Sequence, residues 1–164
     1  MVAIRKSNEE GHRRKFLVVV DETPECDRAL VYAAKRASRT GGVVKVLFVI
    51  APGDFQHWLG VEDIMRAEAR EKADETLAKA AERIRAVAKT EPECVVLEGN
   101  NSEAIVHLIE EDADIAILVL AAAVGADGPG PLVSSVASKG VTSFPIPVTI
   151  VPGDLDDASI DALA

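Results

Sequence analysis

Two features of the sequence have residue types suited to binding a ligand: an acidic residue that ends an apolar run, and a loop rich in glycine. Asp21 directly follows Phe16–Val20, a continuous apolar run typical of a strand buried on both faces of a parallel sheet. Open α/β sheets bind ligands at the carboxyl ends of such strands. Asp21 is therefore a candidate binding residue, and the alternative is a turn residue that caps Thr23 or the helix behind it.

The second feature is Gly125–Pro131, hereafter the glycine loop, which has three glycines and two prolines. Glycine lets backbone N–H groups approach an anion closely, so Gly125, Gly128 and Gly130 could form an oxyanion cradle or a small-ligand clamp. The alternative is a rigid connection that orients the next helix. The loop contains no lysine or arginine, which argues against a phosphate ligand.

The sequence offers no spacing that pairs a nucleophile with a base or gathers metal ligands. His12, His57 and His107 are scattered, and Cys26 and Cys94 have no neighbours at zinc-site spacing. We therefore expect no catalytic site, no metal site and no structural disulfide. Cys26 lies near the start of a predicted helix, whose dipole could lower its thiol pKa for redox sensing, but a buried, inert cysteine is the commoner case.

Apolar runs and helical patterns alternate along the chain, and this order predicts an α/β fold. Each strand-like run precedes a segment with helical spacing, which implies an open five-stranded parallel sheet with helices on both faces. The predicted strands are Phe16–Val20, Val43–Ile50, Cys94–Leu97, Ile115–Leu120 and Val148–Val151. The predicted helices begin after a Thr23 cap, at Val61, after an Asn101 or Ser102 cap, and at Leu132. The first ends near Thr40, the second near Lys89 and the fourth near Val141.

Composition and charge exclude several classes of partner. The 164 residues are 48% hydrophobic but only 4% aromatic, with a net charge of −9, so the molecule repels nucleic acid and anionic membrane surfaces. The longest apolar run, Ile115–Val124, is half the length of a membrane span. The charged first fifteen residues do not resemble a signal peptide. We expect a cytoplasmic protein.

The chain ends and one internal segment stand apart from the predicted domain at residues 15–152. Residues 1–14 are basic and residues 153–164 are acidic, so we expect a mobile arm and a mobile tail. Phe55–Gly60 contains the single tryptophan. This segment is either a lid or partner-binding patch, or it packs on the second helix.

Several strings resemble the universal stress protein family over Phe16–Val151. FLVVVDETPECDRAL is similar to its first strand and helix, EGNNSEAIVHLIEEDADIAILVLA to its third strand, third helix and fourth strand, and PIPVTIVP to its last strand. The resemblance implies a Rossmann-like fold of the adenine nucleotide alpha hydrolase type.

In nucleotide-binding members of that family, strand four precedes the pattern Gly, two residues, Gly, nine residues, Gly and Ser or Thr, which holds phosphates. Placing Ala121 on the first glycine puts Val124, Ser134 and Ser135 on the other positions, where only Ser135 fits. The resemblance implies that ATP or AMP, with Mg²⁺ for ATP, binds at the carboxyl ends of the strands. With the loop's own glycines added, the candidate binding residues are Asp21, Val49, Ala121, Gly125, Gly128, Gly130, Ser134 and Ser135.

The family resemblance implies a non-catalytic stress-response or signalling domain that binds an adenine nucleotide. It also implies a homodimer formed through the last strand, Val148–Val151, whose edge has unpaired backbone groups. One alternative is a protein-interaction module that needs no nucleotide. Another is a slow ATP hydrolase, for which Asp21 and Asp127 are the available acids.

Overall fold

The computed structural model describes residues 3–51, 61–139 and 144–164. Strands and helices alternate along the chain until a helix ends it. In chain order they are β1 (Lys15–Val20), α1 (Cys26–Thr40), β2 (Val43–Ile50), α2 (Val61–Ala88), β3 (Glu93–Glu98), α3 (Asn101–Glu111), β4 (Ile115–Ala122), α4 (Pro131–Lys139), β5 (Val148–Pro152) and α5 (Asp157–Leu163).

The strands form one sheet in the order β3-β2-β1-β4-β5, and every neighbouring pair is parallel. The sheet confirms the predicted α/β class. Chain connections from β1 run toward β3, whereas the later connections run toward β5. This reversal creates a switch point between β1 and β4, and ligands of open α/β sheets bind outside the carboxyl ends of strands at such a point.

The core lies where the central strands meet helices on both faces. Helix α1 packs against α2 and α5, and α3 packs against α4. Right-handed crossovers place these two groups on opposite faces because the direction of strand addition reverses. Phe16–Val20 is fully buried, since both faces of β1 are covered, and this explains its uninterrupted apolar sequence.

Three predicted helix starts differ from the structure by one or two residues. Helix α4 begins at Pro131 rather than Leu132. Helix α1 begins at Cys26 rather than after a Thr23 cap, because residues 23–26 form a turn in which the amide of Cys26 donates to the carbonyl of Thr23 at 3.4 Å. The cap of α3 is Asn100, whose side chain accepts from the amides of Ser102 and Glu103. The predicted end of α1 is confirmed by Gly41, which has a left-handed φ of 70°.

The basic arm is docked rather than detached in its described part, residues 3–14. The guanidinium of Arg5 donates to the carbonyls of Ile109 at 2.7 Å and Asp112 at 3.1 Å, near the end of α3. The amide of Lys6 donates to the carbonyl of Ala113 at 2.9 Å. These contacts place Arg5 and Lys6 at the carboxyl end of α3, where helix carbonyls attract a cation. The mobility of the arm stays a prediction.

The acidic tail is also more ordered than expected, since it contains α5. Ile160 of this helix is fully buried, and Asp161 accepts from Lys35 and Arg39 of α1 at 2.7 Å each. The prediction of a mobile tail rested on the acidity of this segment and took no account of the basic residues on α1 that pair with it. Separately, the described helices include none that is long and apolar enough to cross a membrane.

Candidate functional site

A cavity of about 500 Å³ opens at the carboxyl ends of β1 and β2, beside the first turns of α2. Its wall is apolar along β2, acidic near the turn after β1, and formed by both apolar and charged side chains along α2. The lining residues are Asp21, Glu22, Thr23, Phe48, Val49, Ile50, Ala51, Met65, Glu68, Ala69 and Lys72. An apolar pocket with a few polar groups at this edge of the sheet has the character of a small-molecule site.

Asp21 lines the cavity and also holds the turn that leads into α1. Its Oδ1 atom accepts a hydrogen bond from the amide of Thr23 at 2.8 Å, and it also accepts from the Thr23 hydroxyl and the Cys26 thiol. A short polar side chain that binds the backbone two residues ahead forms an Asx-turn. Asp21 therefore has the turn role that the sequence left open, in addition to its place in the cavity wall.

Cys26 is buried beneath this turn. Burial raises the pKa of its thiol to about 12, despite its position at the start of α1. Desolvation disfavours the thiolate, and the nearby carboxylate of Asp21 disfavours it further. Because the thiolate is the reactive form, the structure favours the buried, inert cysteine over the redox sensor.

Val49 is half-buried on β2 and lies in the cavity wall. Its register partner is Leu97 of β3, while Phe48 pairs with Val20 of β1. These pairings fix Val49 in the cavity wall, and its role as a binding residue stays a prediction. Its apolar side chain can offer packing, and any polar contact there must come from its backbone.

The cavity wall carries more negative than positive charge. Among the described residues that line it are the carboxylates of Asp21, Glu22 and Glu68 and one ammonium group, that of Lys72. Nζ of Lys72 lies 2.9 Å from Oε1 of Glu22, so this cation already has an acidic partner. Glu22, Glu68 and Lys72 were not predicted as site residues. Glu22 follows Asp21 in the turn after β1 and was not singled out, and the sequence predicted α2 only as a helix. The helical spacing of Met65, Glu68, Ala69 and Lys72 was the available signal for one shared face.

Ala121 lies in β4 and not in a phosphate-binding loop. It is buried and pairs with Val151 of β5, because β4 extends two residues beyond its predicted end. The expectation that Ala121 lines the loop is therefore corrected. The connection starts at Ala123, and Val124 is 66% exposed within it.

The glycine loop folds back on Ala123, the first residue after β4. The amide of Ala123 donates to the carbonyl of Pro129 at 2.9 Å, which closes the connection on itself. Gly125, Gly128 and Gly130 have φ values of 125°, 92° and 95°. These left-handed values are accessible mainly to glycine, so the loop shape explains the glycines without a ligand.

Glu25 approaches the end of the glycine loop. A Cβ atom at Gly130 would lie 2.9 Å from Oε1 of Glu25. This residue was also missed from the sequence, where its acidity was assigned only to the first turn of α1. Its contact with the glycine loop could not be predicted, because nothing in the local sequence places residue 25 against residue 130.

The two serines of the predicted site face different surroundings. Ser135 has its hydroxyl 3.1 Å from that of Ser102 on α3, and its carbonyl accepts from Ser102 at 3.0 Å. Ser134 is exposed on α4, and its amide donates to the carbonyl of Gly130 at 3.0 Å. The Ser135 hydroxyl thus joins α4 to α3 in this structure.

The remaining polar candidates do not converge on the cavity. His12 lies 2.6 Å from Asp114, and His107 lies 3.3 Å from Glu111 on its own helix. His57 and the rest of Phe55–Gly60 lie outside the described residues. Across residues 3–51, 61–139 and 144–164, no group of three or more histidine, cysteine or acidic side chains could hold a metal ion.

Comparison with solved structures supports this reading of the fold. Universal stress protein UspA from Lactobacillus plantarum has a TM-score of 0.68 at 18% identity, with 84% of this chain and 97% of that chain covered. A universal stress protein solved in complex with cAMP has a TM-score of 0.62 at 19% identity, covering 86% and 98%. One from Archaeoglobus fulgidus, in complex with dAMP, has a TM-score of 0.61 at 22% identity, covering 92% and 99%.

A search among curated proteins gave no match. The model of the universal stress protein family, however, matches residues 12–152. This span contains every strand of the sheet, the cavity and the glycine loop. The chain therefore belongs to the universal stress protein family.

Proposed function

We propose that this protein binds the adenosine moiety of a small adenine nucleotide in the cavity and acts without catalysis in stress response or signalling in the cytoplasm. The observation that carries the proposal is the cavity at the carboxyl ends of β1 and β2, which combines an apolar wall with the Asp21 carboxylate. Two relatives of the same fold were solved with cAMP and with dAMP.

The dimensions and chemistry of the cavity suit a nucleoside. Its volume of about 500 Å³ falls within the range of roughly 300–1,000 Å³ typical of small-molecule pockets. Phe48, Val49 and Met65 offer apolar surface to a flat base. Carboxylate oxygens near Asp21 can accept hydrogen bonds from an exocyclic amine or ribose hydroxyls.

The proposal that the domain is not an enzyme has support in the environment of Asp21. Its Oδ1 atom already accepts hydrogen bonds from Thr23 and Cys26. The carboxylate therefore stabilises the turn, which argues against a role as general base. The other acid nominated for hydrolysis, Asp127, lies exposed in the glycine loop. The proposal includes ATP with Mg²⁺ among the ligands, beside AMP.

We also propose a homodimer that pairs Val148–Val151 with its counterpart. Strand β5 is at one edge of the sheet, and its Ile150 side chain is 48% exposed. An edge strand with an exposed apolar side chain can add a strand from a second copy.

A second candidate function, an interaction module that needs no nucleotide, is favoured by the self-closed glycine loop. The hydrogen bond from Ala123 to Pro129 uses an amide of the connection internally, and Val124 is exposed beside it. Titration of the protein with nucleotides distinguishes the two functions.

The test is isothermal titration of nucleotide-stripped protein with adenosine, AMP, and ATP with and without Mg²⁺, using Ala69→Trp and Ala67→Trp as a matched pair. Ala69 lines the cavity, whereas Ala67 is exposed on the same helix outside it. We expect saturable binding by the wild-type protein and Ala67→Trp, and none by Ala69→Trp. If no ligand produces heat at millimolar concentration, nucleotide binding is rejected and the interaction module becomes the supported function.

A further inference from the structure

We propose that the cavity selects the nucleoside over its phosphate esters, in the affinity order adenosine, AMP, ATP. This inference rests on the proposed function, since it concerns the ligand of the same cavity. It follows from the distribution of charge around the switch point between β1 and β4, where a phosphate attached to a bound nucleoside would extend.

The cavity itself is the first source of selection. Asp21, Glu22 and Glu68 bring three carboxylates to its wall, and Lys72 brings the single ammonium group. The contact of 2.9 Å between Lys72 and Glu22 leaves that ammonium already paired. A phosphate ester that enters this wall meets net negative charge, whereas an uncharged nucleoside does not.

Glu25 extends the acidic surface from the cavity to the glycine loop. It follows Thr23 of the cavity wall by two residues, and its Oε1 atom lies against Gly130. Gly130 immediately precedes α4, whose amino terminus would otherwise attract an anion. The carboxylate of Glu25 therefore occupies the place where a phosphate would meet the loop.

The glycine loop and its neighbours offer little positive charge to balance these carboxylates. Residues 121–138 contain Asp127 and no lysine or arginine. Arg28, one turn after Glu25 on α1, is committed to the tail: it contacts Asp157 at 2.8 Å and donates to the carbonyl of Leu155 at 2.9 Å. The acidic residues near the loop are therefore not neutralised by these groups.

The main test is titration of the whole wild-type protein with adenosine, AMP and ATP at low and high KCl, with and without Mg²⁺. Salt screens repulsion between like charges. We therefore expect AMP and ATP to bind more tightly as KCl rises, while adenosine changes little, and Mg²⁺ to leave the affinity order unaltered. A phosphate-binding loop would show the opposite trend, with AMP affinity falling as KCl rises.

The matched variants are Glu25→Gln and Glu110→Gln, because Glu110 is an exposed residue on α3, near the opposite end of the sheet. Removing one nearby charge should raise the AMP-to-adenosine affinity ratio about 3- to 10-fold in Glu25→Gln, and Glu110→Gln should keep the wild-type ratio. Glu22→Gln gives a second route, since it releases Lys72 and should shift the ratio in the same direction.

The outcomes separate the two proposals. If neither adenosine nor any nucleotide binds, both the proposed function and this inference are overturned. If AMP or ATP binds more tightly than adenosine, and the ratio in Glu25→Gln matches the wild-type ratio, the inference is overturned while the proposed function stands.

Discussion

The thiol of Cys26 donates a hydrogen bond to Oδ1 of Asp21 at 3.1 Å. These two residues were separate candidates in the sequence, one for redox sensing and one for ligand binding. In the structure they stabilise the same turn between β1 and α1. A change at either residue therefore alters the turn as well as the cavity, and neither makes a clean binding variant.

We expect Cys26 to resist alkylation in the folded protein. Burial raises the pKa of its thiol to about 12, so the group stays protonated at pH 8 and reacts slowly. Cys94 is exposed on β3, and we expect iodoacetamide to modify it first. Mass spectrometry of peptides after timed alkylation measures both rates, with protein in urea as the control in which both cysteines react. Equal rates in the folded protein would contradict the buried-thiol assignment.

The next prediction concerns Asp112, which links the amino ends of the strands. Partial burial alone would raise its pKa, but hydrogen bonds from Lys15 and Lys45 outweigh burial and lower the pKa to about 2. Their Nζ atoms lie 2.8 and 2.7 Å from Oδ2 of Asp112. The folded state therefore favours the carboxylate, and the resulting stability is complete above the unfolded pKa of 3.8 and lost as the pH falls through about 2.

We expect Asp112 to contribute about 2 kcal/mol to the free energy of unfolding above pH 4, by the conversion of ~1.4 kcal/mol per pKa unit. Urea unfolding of the wild-type protein and Asp112→Asn between pH 2 and pH 6 measures this contribution. Asp112→Asn should be less stable at pH 6 and lose less stability on acidification. Asp154→Asn, at an exposed position, is the control. Parallel pH profiles for Asp112→Asn and the wild type would rule out the proposed linkage.

The third prediction tests whether α5 is part of the folded domain. Ile160 is fully buried, whereas Leu163 of the same helix is 64% exposed. Removing a buried branched side chain leaves a cavity, so Ile160→Ala should lower the free energy of unfolding by about 2–4 kcal/mol. Leu163→Ala should change it by less than about 0.5 kcal/mol. Urea unfolding curves compare the two, and similar small effects would mean that α5 is detached in solution.

The elements were predictable from the sequence because their signals are local. The apolar run before Asp21 marks a strand, and Gly41 marks the end of a helix. Both signals are independent of contacts with distant residues. The candidacy of Val49 as a binding residue came from the family resemblance and not from its apolar side chain. Contacts between distant residues were not predictable, since no local pattern links Glu25 to Gly130 or Ser135 to Ser102.

The charge complementarity of the chain ends was equally hidden. Asp161 pairs with Lys35 and Arg39, which are more than 120 residues earlier in the sequence. An acidic segment read by itself predicts a solvated tail. In the structure, α5 packs on α1 and these charges form ion pairs, which the acidity of the segment alone could not predict.

The last prediction concerns the homodimer proposed through β5. The side chain of Ile150 is 48% exposed at this edge, and Ile64 on α2 is 60% exposed, so the two give a matched pair of apolar surface positions. A charge introduced on an edge strand opposes pairing with another copy. Ile150→Asp should therefore dissociate the dimer, whereas Ile64→Asp should leave it intact. Sedimentation velocity should give the wild-type protein twice the chain mass of 17.4 kDa, and Ile150→Asp the mass of a single chain. A wild-type monomer at all concentrations, or a dimer broken by Ile64→Asp and kept by Ile150→Asp, would place the assembly elsewhere than on β5.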